Sequence, residues 1–269
     1  MTANIFREKY GPYALVAGAA VGLGAEYASQ IAAQGLDLVL LDRDAEALRA
    51  TADALQAAHA VTVHALTVDL ARADLVDSIR PIVADVEIGL LVYNAALGTV
   101  APFLELTPAH VDAKLAVNCR APLRLVHALA PAMCARRRGG VIIMSSMSGS
   151  IGSAQLAVYA ATKAFDLVFA DALWAELRPH GVDVLAVQPG STRTPGWLSS
   201  QPSGPGAVAM PAMETGEVVR EALAALGTQP HVVAGELNRQ AAALFARMPR
   251  REAIELLSGI TSTLVRNDR

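Results

Sequence analysis

The stretch from Tyr13 to Gly35 limits the architecture of this chain more than any other. Tyr13 to Ala17 is a short apolar run that enters Gly18-Ala19-Ala20-Val21-Gly22-Leu23-Gly24, after which Tyr27, Ala28, Ile31 and Ala32 recur at helical spacing until Gly35. Strand, glycine turn, helix is the implied order. Glycines suit a turn where the backbone reverses sharply, approaches a pyrophosphate with no Cβ in the way, and points the first amides of a helix at the anion. Gly18, Gly22, Leu23 and Gly24 are the candidate contacts. On this stretch alone an ordinary glycine-rich turn without a ligand stays open.

The next strand, Asp37 to Leu41, ends at Asp42, about where a dinucleotide site places the acid that holds an adenosine ribose. A carboxylate there accepts hydrogen bonds from the ribose 2'-hydroxyl and repels a 2'-phosphate, which argues for NAD. The competing reading is that Asp42-Arg43-Asp44 simply caps the helical segment Ala45 to Ala58. Two further strands follow. Val61 to Val68 ends in Asp69-Leu70, and Ile88 to Tyr93 runs into Asn94-Ala95-Ala96-Leu97-Gly98. Strand and helix patterns alternate through residue 235, as a doubly wound α/β fold requires, with a central parallel sheet, helices on both faces and a ligand crevice at the strands' C-terminal ends.

In the second half a long helical pattern starts at Thr107-Pro108 and contains Asn118, a poor helix former whose usual explanation is an exposed face. Val141-Ile142-Ile143-Met144 reads as a buried parallel strand with Ser146 at its end. Tyr159 and Lys163 then stand four apart on a helix, so they share one face, with Ala161, Phe165, Val168 and Ala172 forming an apolar stripe offset from them. A free phenol titrates at about 10, and a nearby ammonium favours the phenolate, bringing its proton toward usable range. Ser146 could hold a substrate oxygen while Tyr159 gives or takes the proton. The plain alternative is a helix surface pair and a turn serine. A sixth strand, Val182 to Gln188, enters Pro189-Gly190-Ser191-Thr192-Arg193-Thr194-Pro195.

Taken jointly, Gly-x3-Gly-x-Gly, Asp42, Asp69, Asn94, Asn118, the Ser-x12-Tyr-x3-Lys spacing and Pro189-Gly190 resemble the short-chain dehydrogenase/reductase family, in one order from about Gly11 to Pro195. The resemblance implies a Rossmann-like sheet and hydride transfer between NAD(H) and a small-molecule secondary alcohol or ketone. Tyr159 is then the general acid/base, Lys163 lowers its pKa and binds the nicotinamide ribose, Ser146 orients the substrate oxygen, and Asn118 holds a water in the proton relay. It also implies that Asp69-Leu70 lies near the adenine, that Asn94 belongs to the cofactor loop, and that Pro189, Thr192 and Thr194 meet the nicotinamide amide. An Arg at the position of Arg43 often binds the 2'-phosphate of NADP, so an NADP-dependent ketoreductase is the alternative. Three departures stand out: Ala17 replaces a Thr before the glycine turn, and Tyr93 and Ala96 replace the first Asn and the Gly of an Asn-Asn-Ala-Gly loop. They leave room for a non-catalytic, dinucleotide-binding regulatory subunit. Relatives commonly form homodimers or homotetramers through the helices around Asn118 and Tyr159.

Composition narrows the classes further. With 269 residues, 53% hydrophobic content and a formal charge of -3, the chain is expected to form one domain over residues 1–269 and shows no bias toward nucleic acid or an anionic membrane. Met1 to Tyr10 has no apolar leader core and no stretch spans a bilayer, so a cytoplasmic location is the expectation. Cys119 and Cys134 are expected to be buried free thiols, and no metal site is visible among the scattered histidines. Residues 196–213, rich in Pro, Gly and Ser with Trp197, Leu198 and Met210 interspersed, suit a substrate lid and hint at an apolar substrate. Leu97, Met147, Gln155, Trp197 and Met213 are the expected pocket residues. Residues 235–269 read as a divergent helical C-terminal segment, which an interaction protein could use as its main surface.

Overall fold

The computed structural model describes residues 3–199 and 211–265. Its sheet contains β1 (Tyr13–Ala17), β2 (Asp37–Asp42), β3 (Val63–Thr67), β4 (Ile88–Tyr93), β5 (Gly139–Met144), β6 (Val182–Gln188) and β7 (His231–Val233), paired in parallel in the order β3-β2-β1-β4-β5-β6-β7. The chain winds outward from β1 in one direction and returns to begin β4 on the other side. The switch point therefore lies between β1 and β4, where the doubly wound fold opens its crevice.

The central strands β1, β4 and β5 are apolar because both of their faces are covered, whereas the edge strand β3 is half-exposed and carries His64 and Thr67. Alternation sends Ala14, Val16, Leu38 and Leu40 to one side and Leu15, Ala17, Val39 and Leu41 to the other. The first side is covered by α1 (Ala3–Tyr10), α2 (Gly22–Ala33), α3 (Ala45–Ala58) and α9 (Thr215–Ala225), the second by α4 (Leu75–Val83), α6 (Ala121–Arg136) and α7 (Ala157–Leu177). The shorter α5 (Pro108–Leu115) precedes α6, α8 (Pro195–Ser199) follows β6, and α10 (Glu236–Arg247) and α11 (Arg250–Val265) end the described chain. Each fully buried Leu, Ile or Val contributes about 1.5–3 kcal/mol, so the two layers fix the strand ends firmly.

Several expectations needed correction. The third strand begins at Val63 rather than Val61, and the C-terminal segment is built from two helices, Glu236–Arg247 and Arg250–Val265. Helix α1 was not read from the sequence, because only Phe6 and Tyr10 of its residues are buried and its stability comes from packing. Tyr10 lies where β4 and β5 carry glycines: a Cβ at Gly140 would sit 2.9 Å from its ring. Its hydroxyl donates to Asp183 Oδ2 at 2.5 Å. Most informative is α7, whose apolar stripe does not face the core. Ala161, Val168 and Ala172 are exposed, while Ala160, Thr162, Lys163, Asp166 and Ala170 are buried. Of the expected lid, residues 200–210 lie outside the described residues; α8 occupies its start. No helix among the described residues is long and apolar enough to cross a membrane.

Candidate active site

Register places the candidate residues in one row. Ala17 pairs with both Leu41 and Tyr93, Tyr93 with Ile143, Met144 with Val187, and Gln188 with Val233. The C-terminal ends of six strands thus stand level; Asp42 closes β2, and Gly18, Asn94, Ser146 and Pro189 follow β1, β4, β5 and β6 directly or within two residues.

In the nucleotide half the glycine turn is tied down through its backbone. Gly18, at φ +80°, donates its N–H to Leu41 O at 2.8 Å, and its carbonyl accepts from Asn94 Nδ2 at 2.9 Å. The amides of Asn94 and Ala95 both donate to Ala17 O at 3.0 Å. These bonds join turn and loop although the chain carries Ala17 where a Thr hydroxyl was expected. Tyr93, the second departure, donates its hydroxyl to Val117 O at 2.5 Å and so ties β4 to the neighbouring helix. Val21, the N-cap of α2, makes no side-chain cap bond, which leaves the first-turn amides around Gly22, Leu23 and Gly24 uncapped by a side chain. Uncapped amides beside glycines at a strand end fit a dinucleotide pyrophosphate. Asp42 is held by two amides, Ala20 N to Oδ2 at 3.0 Å and Asp44 N to Oδ1 at 3.1 Å, while Arg43 is exposed. The helix-cap role read for this acid falls to Asp44, which accepts from Ala47 N. Asp69 and Leu70 follow the outermost strand, β3. Asp69 accepts from Ala71 N at 2.9 Å, and Leu70 is buried.

In the reacting half, Ser146 Oγ accepts from Ser148 N at 3.2 Å and opens a short 3-10 turn over Met147–Gly149. Pro189 O accepts from Met147 N at 3.1 Å, so the β6 loop and the serine turn are joined. Thr192 is buried and bonds Gly190 O, and the Thr194 hydroxyl caps Trp197 N while its methyl lies 3.1 Å from where a Cβ on Gly22 would be. The loop after β6 therefore folds back onto the glycine turn.

Tyr159 and Lys163 share the inner face of α7, with Lys163 Nζ 5.9 Å from the centre of the Tyr159 ring. Lys163 is 2% exposed and donates to Met144 O at 2.6 Å and to Asp166 Oδ2 at 2.9 Å. Asn118 is fully buried rather than exposed, and it stands in a π-helical turn, Ala116–Arg120, between α5 and α6. The extra residue in that turn re-aims the side chain inward, a common feature of functional sites. Its carboxamide accepts from Leu97 N at 2.8 Å and donates to Leu97 O at 3.3 Å and Thr162 Oγ1 at 3.0 Å, clamping the loop after β4 to α7. Cys119 and Cys134 are free thiols but only half-buried. Burial, with Asp166 second, pushes the Cys119 thiol up to about 11. Sequence reasoning missed Asp166 and Thr162. A carboxylate three residues after Lys163 in an otherwise apolar helix was the available signal.

A family model described as short chain dehydrogenase matches residues 12–202. A 7beta-hydroxysteroid dehydrogenase of Clostridium sardiniense is 33% identical over 235 residues, covering 87% of this chain and 90% of the relative. A solved structure described as giving structural and biochemical insights into 7beta-hydroxysteroid dehydrogenase stereoselectivity superposes with a TM-score of 0.88 at 30% identity, covering 94% of this chain and 99% of that one. A short-chain dehydrogenase from Sphingobium yanoikuyae in complex with NADPH gives a TM-score of 0.76 at 33% identity, covering 88% and 93%. A match across most of the chain, by a family model and by relatives covered nearly end to end, makes this protein a member of the short-chain dehydrogenase/reductase family.

Proposed function

We propose that this oxidoreductase interconverts a secondary alcohol and a ketone on a large, mostly apolar substrate of the hydroxysteroid kind. The observation that carries the reading is the buried Lys163 ammonium, fixed by Met144 O beside the Tyr159 ring at the end of β5. In the oxidising direction Tyr159 takes the hydroxyl proton while the substrate oxygen rests on Ser146, and in reduction it returns it. Lys163 binds the nicotinamide ribose, and Asn118 supports the proton relay from its π turn. When bound, the dinucleotide supplies or accepts the hydride; the protein orients the reactants and handles the proton. Similarity to 7beta-hydroxysteroid dehydrogenases and the apolar Leu97, Met147, Trp197 and Met213 in the segments that follow or bond the strand-end loops support a bulky substrate. The test is nicotinamide absorbance with a 7β-hydroxysteroid, its 7-keto partner, short aliphatic secondary alcohols and a 3-oxoacyl thioester. Turnover of the short alcohols alone would overturn the substrate class.

NAD is the proposed cofactor, because two backbone amides hold the Asp42 carboxylate at the end of β2, where its charge would repel a 2'-phosphate. Asp42→Ala is expected to lower the ratio of NADPH to NADH dissociation constants about tenfold, the effect of removing one charge near the phosphate. A fluorescence titration with both nucleotides measures it. If the parent protein already prefers NADPH, Arg43 sets the choice.

Assembly through the outer face of α5, α6 and α7 is proposed as well. Phe103, just before α5, and Leu115 are 55% and 46% exposed and line one groove with Ala161 and Phe165, Leu123, 39% exposed, lines a second with Phe169 and Leu173, and Val168 on α7 is 67% exposed; exposed apolar side chains in such number mark an interface. Val168→Asp is expected to shift a dimer or tetramer toward monomer in light scattering. An unchanged mass would place the contact elsewhere.

A further inference from the structure

Asp166 has no part in the reaction described so far, and a buried carboxylate is costly to keep without one. It lies on α7 three residues beyond Lys163 and seven beyond Tyr159, so the three share one helical face. It is 1% exposed, and its only hydrogen bond among the described residues is from Lys163 Nζ to Oδ2 at 2.9 Å. Oδ1 is buried with no partner. A pair kept for stability would have both oxygens satisfied, since a half-satisfied buried ion pair is often less stable than an apolar one.

We propose that Asp166 is a positioning residue for the reaction, holding the Lys163 ammonium in place and offsetting its charge at Tyr159. Two of the three ammonium donors are committed, to Met144 O and Asp166 Oδ2, so Lys163 has a fixed direction left for its third. The carboxylate also weakens the positive field along the face that carries Tyr159. The inference rests on the acid/base reading of Tyr159 and Lys163.

The surroundings of Asp166 decide when it carries a charge. Burial outweighs Lys163 and pushes its carboxyl up to about 6. The other titratable groups facing it are Tyr93 from β4 and Cys119 from the π turn, both pushed up by burial and by Asp166 itself, so both stay neutral where Asp166 changes charge. Below about pH 6 the carboxylate takes up a proton, and the charge of Lys163 is no longer offset.

Asp166→Asn keeps the shape and an acceptor oxygen for Lys163 but removes the charge. The rising limb of alcohol oxidation is expected to move about one pH unit lower, the effect of one charge roughly 10 Å away at an effective dielectric near 20. NADH affinity in the parent protein, followed by fluorescence between pH 5 and 8, is expected to rise severalfold on acidification with a midpoint near pH 6. In the Asn variant this inflection is expected to vanish. A rate limb within a few tenths of a unit of the parent, or NADH binding in the parent that is flat through pH 6, would overturn the proposal, and the parent titration stands even if the variant does not fold. Tyr159→Phe run in parallel separates the two readings: an active Tyr159→Phe protein removes the acid/base assignment, whereas an inactive one beside an unmoved Asp166→Asn profile removes only the role of Asp166.

Discussion

Tyr159→Phe is expected to lower kcat by about a hundred- to ten-thousandfold, the range that a positioned general acid or base supplies, while NADH affinity stays within about threefold. The substitution removes one oxygen and keeps the ring, which packs within 3.7 Å of the position a Cβ on Gly98 would take. Lys163 keeps its bonds to Met144 O and Asp166, so the group proposed to bind the ribose is not displaced. Lys163→Ala should behave differently. It leaves Asp166 buried without its partner and removes the ammonium from beside the phenol, so affinity, turnover and stability fall together, with breakage of the buried pair alone costing about 3–5 kcal/mol. Stopped-flow turnover and fluorescence titration on the two variants distinguish proton donor from anchor. Retention of most activity in Tyr159→Phe would remove the mechanism proposed here, and loss of NADH binding in that variant would make the phenol a binding group first.

The parts of the fold that the sequence displays are those where a residue's type has one structural use. The apolar runs of β4 and β5 read plainly because every residue in them is buried, and the glycine turn reads plainly because only glycine tolerates its approach to the loop after β4. The helices were harder. A periodic pattern shows that α7 has two unlike faces without showing which is inside, and here the polar face is buried because it carries the site. Asn118 misled for a related reason: a buried carboxamide in mid-helix makes sense only once Leu97 and Thr162 are beside it to accept and donate. Helix α1 was invisible because its register depends on Tyr10 meeting glycines about 80 and 130 residues later in the chain. Asp166 was in plain view but had no meaning until Lys163 Nζ was found turned toward it.

Gly24→Ala is expected to be the most damaging single methyl group in the molecule. In a helix, alanine ordinarily stabilises by about 0.5–1 kcal/mol relative to glycine. At this position a Cβ would lie 1.8 Å from Gly18 O and 2.8 Å from Asn94 Nδ2. Neither neighbour can retreat cheaply. Gly18 is held by its N–H bond to Leu41 O and by the Asn94 bond to its carbonyl, and a Cβ on Gly18 itself would already stand 2.7 Å from Ala95 Cα. The methyl must therefore push α2 away from the turn, breaking the Asn94 tie and spreading the amides proposed to face the pyrophosphate. Overpacking of this kind costs about 1–3 kcal/mol, with the lost hydrogen bond adding about 1. At about 2–4 °C per kcal/mol for a chain of this size, Tm should fall by about 5–15 °C. NADH affinity should drop by at least about tenfold even at temperatures where the variant is folded, since the proposed phosphate contacts depend on those amides. Gly152→Ala is the control, because a Cβ there meets nothing within 4 Å, and it should change stability by no more than about 0.5 kcal/mol. Differential scanning fluorimetry with and without NADH measures both effects. If Gly24→Ala melts with the parent and binds NADH as tightly, α2 and the glycine turn are not in the close contact described, and the pyrophosphate site must be sought elsewhere along the crevice.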